Sequence, residues 1–229
     1  KAVGRCDVVV YGPKARGNLH AMGQDRRQLL VATWIDRYEA LFAAGHKFVL
    51  PFENRGDEVG VTLAHPHGQI YAFPFVPLVQ KSAAQAFRAG YDLAAQMQKF
   101  SSDYAVTSAG DVQAFCPPYA RFPFEVWLAP RLRRAGLWDM TREELDGFAH
   151  LLGDMTRRYD LHFGRDTAYM LSLHAAPVGE ESRFHFTAQF YPILRGPQRV
   201  KYLASVEQST GAFTVDVMPE AAALTLRAL

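Results

Sequence analysis

Hydrophobic positions along the chain fall into strand-like and helix-like stretches. Cys6-Asp7-Val8-Val9-Val10-Tyr11 is a short β-branched run closed by Gly12-Pro13, the pattern of a strand ending in a turn. Between residues 27 and 44, Leu29, Leu30, Trp34, Ile35, Tyr38, Leu41 and Phe42 recur at helical spacing, and Gly45 follows as a stop. This predicts a helix whose aromatic stripe faces a core. Residues 47–53 then predict a strand, 54–57 a loop, and 59–75 one long strand. Beyond Pro74 and Pro77, residues 82–100 are rich in alanine and glutamine and predict a second, weakly amphipathic helix.

Aromatic and β-branched residues return over 111–130, broken by Pro117-Pro118 and Pro123, which predicts a pair of strands. Thr141-Arg142-Glu143-Glu144 has the form of a capping box, in which a threonine and a glutamate three residues on satisfy the first helical amides. The helix it opens is expected to run to about residue 159 or 163 and to bury Leu145, Phe148, Leu151, Leu152 and Met155. Residues 168–175 and 183–194 give the last clear strand signals in that region.

Candidate chemistry concentrates in Gly60-Val61-Thr62-Leu63-Ala64-His65-Pro66-His67-Gly68-Gln69-Ile70-Tyr71. If this stretch is extended, His65, His67 and Gln69 project to one side. Two imidazoles and an amide, with Gly68 permitting close approach, can attack, orient and hydrogen-bond a phosphate. A bare His-x-His fits two satisfied polar residues on an exposed strand equally well. A second copy of the outline stands at His185-Phe186-Thr187-Ala188-Gln189-Phe190-Tyr191, with the first histidine, the glutamine and the tyrosine in register and Thr187 at the position of His67. Each copy is preceded by a helix and a strand, which implies an internal duplication.

Composition narrows the classes. With 229 residues, 49% hydrophobic and 21% charged, the chain is globular and can bury one large core or two modest ones. A formal net charge of +2 argues against an electrostatically held nucleic-acid or membrane-surface partner and leaves small anionic ligands open. Cys6 and Cys116 lie far apart, so neither a disulfide framework nor a Cys-x-x-Cys metal clip is indicated, and a reducing cytoplasm is expected. No apolar run reaches bilayer length and no signal core opens the chain. The first residue is Lys1, so an incomplete or processed chain is expected.

His-Pro-His-Gly-Gln at 65–69, preceded by Phe52-Glu53-Asn54-Arg55-Gly56 and by Gly60 and Thr62, resembles the active-site region of the galactose-1-phosphate uridylyltransferase family, within the histidine-triad superfamily. The resemblance extends to residues 4–13 and to Phe122-Pro123-Phe124-Glu125. It implies an α+β fold of two histidine-triad-like halves sharing an antiparallel sheet flanked by helices. Residues 1–80 would be the latter part of the first half, carrying the motif, and 81–229 the second half. In the family a further segment precedes the equivalent of Gly4 and supplies part of the uridine pocket and two metal-binding cysteines.

The same resemblance implies an activity in galactose metabolism: transfer of UMP from UDP-glucose to galactose 1-phosphate, in ping-pong fashion, through a uridylyl-histidine. His67 matches the nucleophile, and its other ring nitrogen then needs an acceptor, such as a backbone carbonyl, to fix the tautomer. Gln69 stands where the hydrolase branches of the superfamily carry a third histidine. An amide cannot shuttle a proton, which favours transfer, and Gln69 is expected to steady phosphoryl oxygens together with Thr62, where the family usually has serine. Asn54 and Gly60 match nucleotide contacts. Lys201, Tyr202 and Glu207 match residues that contact the sugar phosphate across a homodimer interface, while Val206 departs from a frequent tyrosine and leaves sugar selectivity open. Zinc enters the same way: His65 matches one family ligand, but the upstream histidine falls on Ala15, with His20 as a nearby substitute, so the zinc site is incomplete in this chain. At the family's second metal site His174 matches one ligand while Ala83, Thr187 and Gln189 occupy the others, and no metal is expected there. Two alternatives carry weight: a related nucleotide phosphorylase acting on an ADP-sugar or a dinucleoside polyphosphate, and a fragment inactive without an N-terminal portion.

Overall fold

The computed structural model describes residues 3–63, 65–100, 102–196 and 198–229. Strand β1 (Arg5–Val10) leads into helix α1 (Gln24–Ala43), and the chain returns through β2 (Phe48–Arg55) and β3 (His67–Phe73). Two short helices, α2 (Leu78–Arg88) and α3 (Leu93–Lys99), precede β4 (Ala105–Ala109), β5 (Val112–Phe115) and β6 (Val126–Pro130). Helix α4 (Arg142–Phe163) follows, then β7 (Tyr169–His174) and β8 (Thr187–Pro192). A small hairpin, β9 (Leu194–Gly196) and β10 (Arg199–Val200), and helices α5 (Ser205–Thr210) and α6 (Pro219–Arg227) complete the chain.

Strands β1 to β8 form one antiparallel sheet in the order β1-β3-β2-β7-β8-β6-β5-β4. The order contains a repeat. β1-α1-β2-β3 and β6-α4-β7-β8 share the sequence strand, helix, strand, strand, and in each the last strand lies between the other two. The repeats meet where β2 pairs with β7, with Phe52 opposite Ser172. The expected α+β architecture, an antiparallel sheet flanked by helices, is what the chain adopts, and the topology carries the duplication suggested by residues 185–191.

Alternation along the central strands divides the sheet into two faces. Val49, Ile70, Leu171 and Leu173 point to one side and pack against Trp34 and Tyr38 of α1 and Phe148, Leu152 and Tyr159 of α4, all buried. Each such side chain contributes about 1.5–3 kcal/mol on leaving water. The predicted capping box starts α4: the Thr141 hydroxyl accepts from the Glu144 amide at 3.2 Å, and the Glu144 carboxylate accepts from the Thr141 amide at 2.7 Å. The other face carries Phe52, Asn54, Ser172 and His174 with His67 and Gln69, all partly exposed. No described helix is long and apolar enough to cross a membrane.

Three expectations are corrected. Residues 59–75 are not one strand: 57–59 form a 3-10 turn, no strand forms over the described residues 60–63 and 65–66, and β3 starts at His67. Gly60 holds a left-handed conformation at the end of that turn, and Pro66 has no amide for a ladder, so pairing cannot propagate through them. Residues 82–100 split into α2 and α3, because Asp92 opens a new helix by accepting from the Ala95 amide at 3.1 Å. Between that region and the expected pair of strands, β4 adds an edge at 105–109.

Helix α4 approaches β4 so closely at Gly147 that a Cβ there would run into the carbonyl oxygen of Ala109. Gly147→Ala is therefore expected to lower stability by about 1–3 kcal/mol despite the better helix propensity of alanine. A fall in the urea midpoint checks this, and an unchanged or raised midpoint would show that α4 can shift freely.

Candidate active site

The register between β2 and β3 sets Phe52 opposite Gln69, and continuing it by two residues brings Asn54 alongside His67. Asn54, His65 and His67 line a cavity of about 360 Å³, with Arg16 and Asn18 on its far side. The ring of His67 is held by its own chain: Nδ1 lies 2.8 Å from the carbonyl oxygen of His65. A carbonyl only accepts, so Nδ1 carries the proton and Nε2 keeps its lone pair. For the His67 ring the backbone acceptor is the carbonyl two residues upstream.

Behind His67 the sheet is unusually close. A Cβ on Gly68 would lie 2.6 Å from the Tyr11 hydroxyl and 3.1 Å from the Phe52 carbonyl oxygen, so only glycine fits. Through that gap Tyr11 donates to one carboxylate oxygen of Glu53 at 2.9 Å, and Tyr169 donates to the other at 2.9 Å. All three side chains are buried. Burial lifts the Glu53 carboxyl above the usual carboxylate range, while the two phenol bonds and the nearby Arg55 and His67 pull it back. Arg55 itself is engaged, with Asp160 at 2.8 and 3.0 Å and Asp166 at 2.7 Å. Among the described residues Arg16 has no ion-pair partner, which leaves its charge free for an anion in the cavity.

With this geometry in place, comparison with known proteins is decisive. Residues 1–77 match the family model of the galactose-1-phosphate uridyl transferase N-terminal domain, and residues 102–229 match that of the C-terminal domain. The chain is similar to the galactose-1-phosphate uridylyltransferase of Thermotoga maritima, 37% identical over 98% of this chain and 74% of the relative. It belongs to the galactose-1-phosphate uridylyltransferase family. A solved uridylyltransferase structure superposes with a TM-score of 0.92 at 27% identity, over 97% of this chain and 74% of that one. An ADP-glucose phosphorylase from Arabidopsis thaliana, solved with bound ADP-glucose, shares the fold with a TM-score of 0.87 at 20% identity, over 99% of this chain and 74% of that one.

The residues that the family resemblance singles out fall into two groups. His65, His67 and Asn54 line one cavity, and Gln69 stands one side chain further along the same face. Thr62 is exposed on the irregular loop, whose Val61 and Leu63 border the cavity, and Gly60 ends the 3-10 turn beside it. Lys201, Tyr202 and Glu207 lie elsewhere, around a separate cavity of about 330 Å³. There the Lys201 ammonium is 3.3 Å from Glu207, and Tyr202 is 79% exposed. The Thr214 hydroxyl, at 2.8 Å, and the Ala204 amide help hold the Glu207 carboxyl down to about 2. Within one chain these three do not reach His67. Glu53, Tyr11 and Arg16 were assigned no role from sequence. A lone acid directly after Phe48-Val49-Leu50-Pro51-Phe52 is the available signal, because a carboxylate in an apolar strand needs partners.

The residues present do not complete a zinc site. His65 offers Nδ1, which is buried and without a hydrogen-bond partner, but Ala15 offers no donor and His20 is exposed and does not border the His65 cavity. No group of three or more His, Cys, Asp or Glu suited to a metal occurs among the described residues. At the second metal position His174, Thr187 and Gln189 do stand together, yet one imidazole, a hydroxyl and an amide make a poor donor set, and Ala83 adds nothing.

Because burial raises the Glu53 carboxyl, the folded chain retains a proton there that the unfolded chain has released; the associated stability is present below the ordinary carboxylate pKa and lost as pH rises through the raised value. Glu53→Gln keeps an oxygen for one tyrosine, turns an amide N–H toward the hydroxyl oxygen of the other, and removes that loss. Chemical unfolding at about pH 4.5 and about pH 8 is expected to show the variant gaining stability relative to wild type as pH rises. A difference that does not change with pH would mean that Glu53 titrates normally.

Proposed function

We propose that the chain is a UDP-glucose–hexose-1-phosphate uridylyltransferase that passes UMP from UDP-glucose to galactose 1-phosphate through a uridylyl-His67. The observation that carries this reading is the His67 ring, fixed through Nδ1 on the His65 carbonyl so that the Nε2 lone pair is available beside a cavity with a free arginine. Nε2 attacks the α-phosphorus, a P–N bond forms, and the bond to glucose 1-phosphate breaks with its electron pair leaving on that oxygen. In the second half-reaction an oxygen of galactose 1-phosphate attacks the same phosphorus and the electron pair of the P–N bond returns to Nε2. While the adduct exists the imidazole is cationic, and the His65 carbonyl that accepts from Nδ1 stabilises that charge.

In this reading Asn54 and Arg16, which line the cavity with His67, hold phosphoryl oxygens, while Thr62 lies on the loop beside it. Gln69 adds hydrogen bonds without a titratable proton, which disfavours handing the UMP group to water. In this reading Lys201, Tyr202 and Glu207 come to the hexose phosphate from a second copy, so the working form is a cytoplasmic homodimer.

Intact-mass spectrometry after mixing with UDP-glucose tests the proposal. A uridylyl adduct is expected that is absent in His67→Ala, disappears on adding galactose 1-phosphate, and forms about 10²-fold more slowly in Asn54→Ala. An adduct formed from ADP-glucose alone would establish the phosphorylase reading instead. If only a version extended at the N-terminus forms the adduct, the chain needs that portion for activity.

A further inference from the structure

The internal repeat places a second cavity, of about 340 Å³, over β7 and β8, where the first half has its nucleophile. Its floor corresponds strand for strand to the active site: His174 opposite Thr187, and Trp127 opposite Gln189 as Val8 is opposite Gln69. Thr187 occupies the place of His67, so no nucleophilic imidazole is available. The polar floor is internally ordered. Gln80 donates to Nδ1 of His174 at 3.2 Å, which makes Nε2 the donor toward the Tyr191 oxygen at 3.3 Å. Tyr191 then donates to Gln189, and Gln189 donates to the Thr187 oxygen at 2.8 Å. The Thr187 oxygen accepts from Gln189, and its own proton has no acceptor among the described residues.

A cation stands beside it. Arg121 donates to the Tyr191 oxygen at 2.8 Å, with its guanidinium 4.9 Å from the centre of that ring, and its side chain remains 32% exposed to the cavity. Its nearest carboxylate, Glu125, is 3.9 Å away and already accepts from the Trp127 indole and the amides of Arg121 and Phe122. Burial also lifts that carboxyl above its usual range, which leaves the arginine charge poorly compensated. The remaining wall is aromatic, with Tyr119 packed edge-on against Trp127 at 5.3 Å and its hydroxyl 2.9 Å from that of Tyr91. A cavity with apolar aromatic walls and a few convergent donors has the character of a small-molecule site.

We propose that this cavity is a second ligand site, distinct from the His67 site, for a planar aromatic ring carrying an anionic group. The anion meets Arg121 and the Thr187 hydroxyl, and the ring lies against Tyr119 and Trp127. A carboxylate and a phosphate share this chemistry, so the source is either an aromatic acid or a nucleoside monophosphate.

Calorimetric titration of the His67→Ala chain with indole-3-carboxylate, UMP and neutral indole tests the site. At least one of the two anions is expected to bind in a single saturable event, at least 10-fold more tightly than indole. That binding should weaken at least 10-fold in Arg121→Met and in Ala83→Phe, the second of which fills the cavity from α2 without removing any polar group of the floor. Binding of the indole acid alone identifies an aromatic acid as the ligand class, and binding of UMP alone identifies a nucleotide. The proposal is overturned if neither anion binds, if indole binds as tightly as the anions, or if Ala83→Phe leaves their affinity unchanged in a chain with native circular dichroism.

Discussion

Glu53 lies inside the sheet with Tyr11 on one oxygen and Tyr169 on the other, so a single carboxyl group ties the end of β1, the middle of β2 and the start of β7. A carboxyl group buried without partners costs several kcal/mol, which makes this arrangement intolerant of displacement. Tyr11 can reach Glu53 only because residue 68 has no side chain. Slipping β3 by one residue would put Gln69 or His67 into that gap and turn the other toward the helices. The buried network therefore fixes the register, and the register fixes which face the imidazole occupies.

The two halves use one frame for different ends. In the first, the open face leaves His67 half-buried, with one nitrogen engaged by backbone and the other free. In the second, α2 and the segment around Tyr119 close over the equivalent strands, and both nitrogens of His174 are taken. Burial holds His174 down to about 3, with the nearby Arg121 charge acting in the same direction. An imidazole in that position stays neutral and has no lone pair to spare, so it orders its neighbours and cannot attack a phosphorus. Two differences therefore separate the halves: Thr187 stands where the first half has His67, and the imidazole that is present is covered and engaged through both nitrogens.

Much of the fold was legible because its signals are local. The stripe of α1 and the Thr141 capping box depend on residues a few positions apart, and both behave as read except at Leu29, which is exposed while Leu30, Trp34, Tyr38 and Leu41 are buried. The duplication was legible too, since Gln189 and Tyr191 repeat Gln69 and Tyr71 on strands of equal register. What escaped the sequence depends on contacts between distant segments. Tyr11 and Tyr169 meet at Glu53 across 42 and 116 residues, and no spacing rule joins them. The same is true of Arg16, whose relevance appears only when its loop folds against Pro66. The group at 201–207 rested on resemblance alone, and its separate cavity shows why: nothing in the local pattern ties it to His67.

The irregular backbone before His67 is where regular periodicity misreads the chain, and the chemistry depends on that irregularity. In a continuous strand from 59 to 75 the carbonyl of His65 would point sideways into a ladder and be consumed by a neighbouring strand. Ending the pairing at Pro66 frees it to turn back onto Nδ1 of His67, while the Pro66 carbonyl still takes the Tyr11 amide at 3.0 Å and keeps the loop anchored. A local rule is broken beside His67 and compensated by the anchor next to it. The tautomer that leaves Nε2 free is thus set by where β3 begins, and His67 could not be prepared in the same way one residue further into the strand.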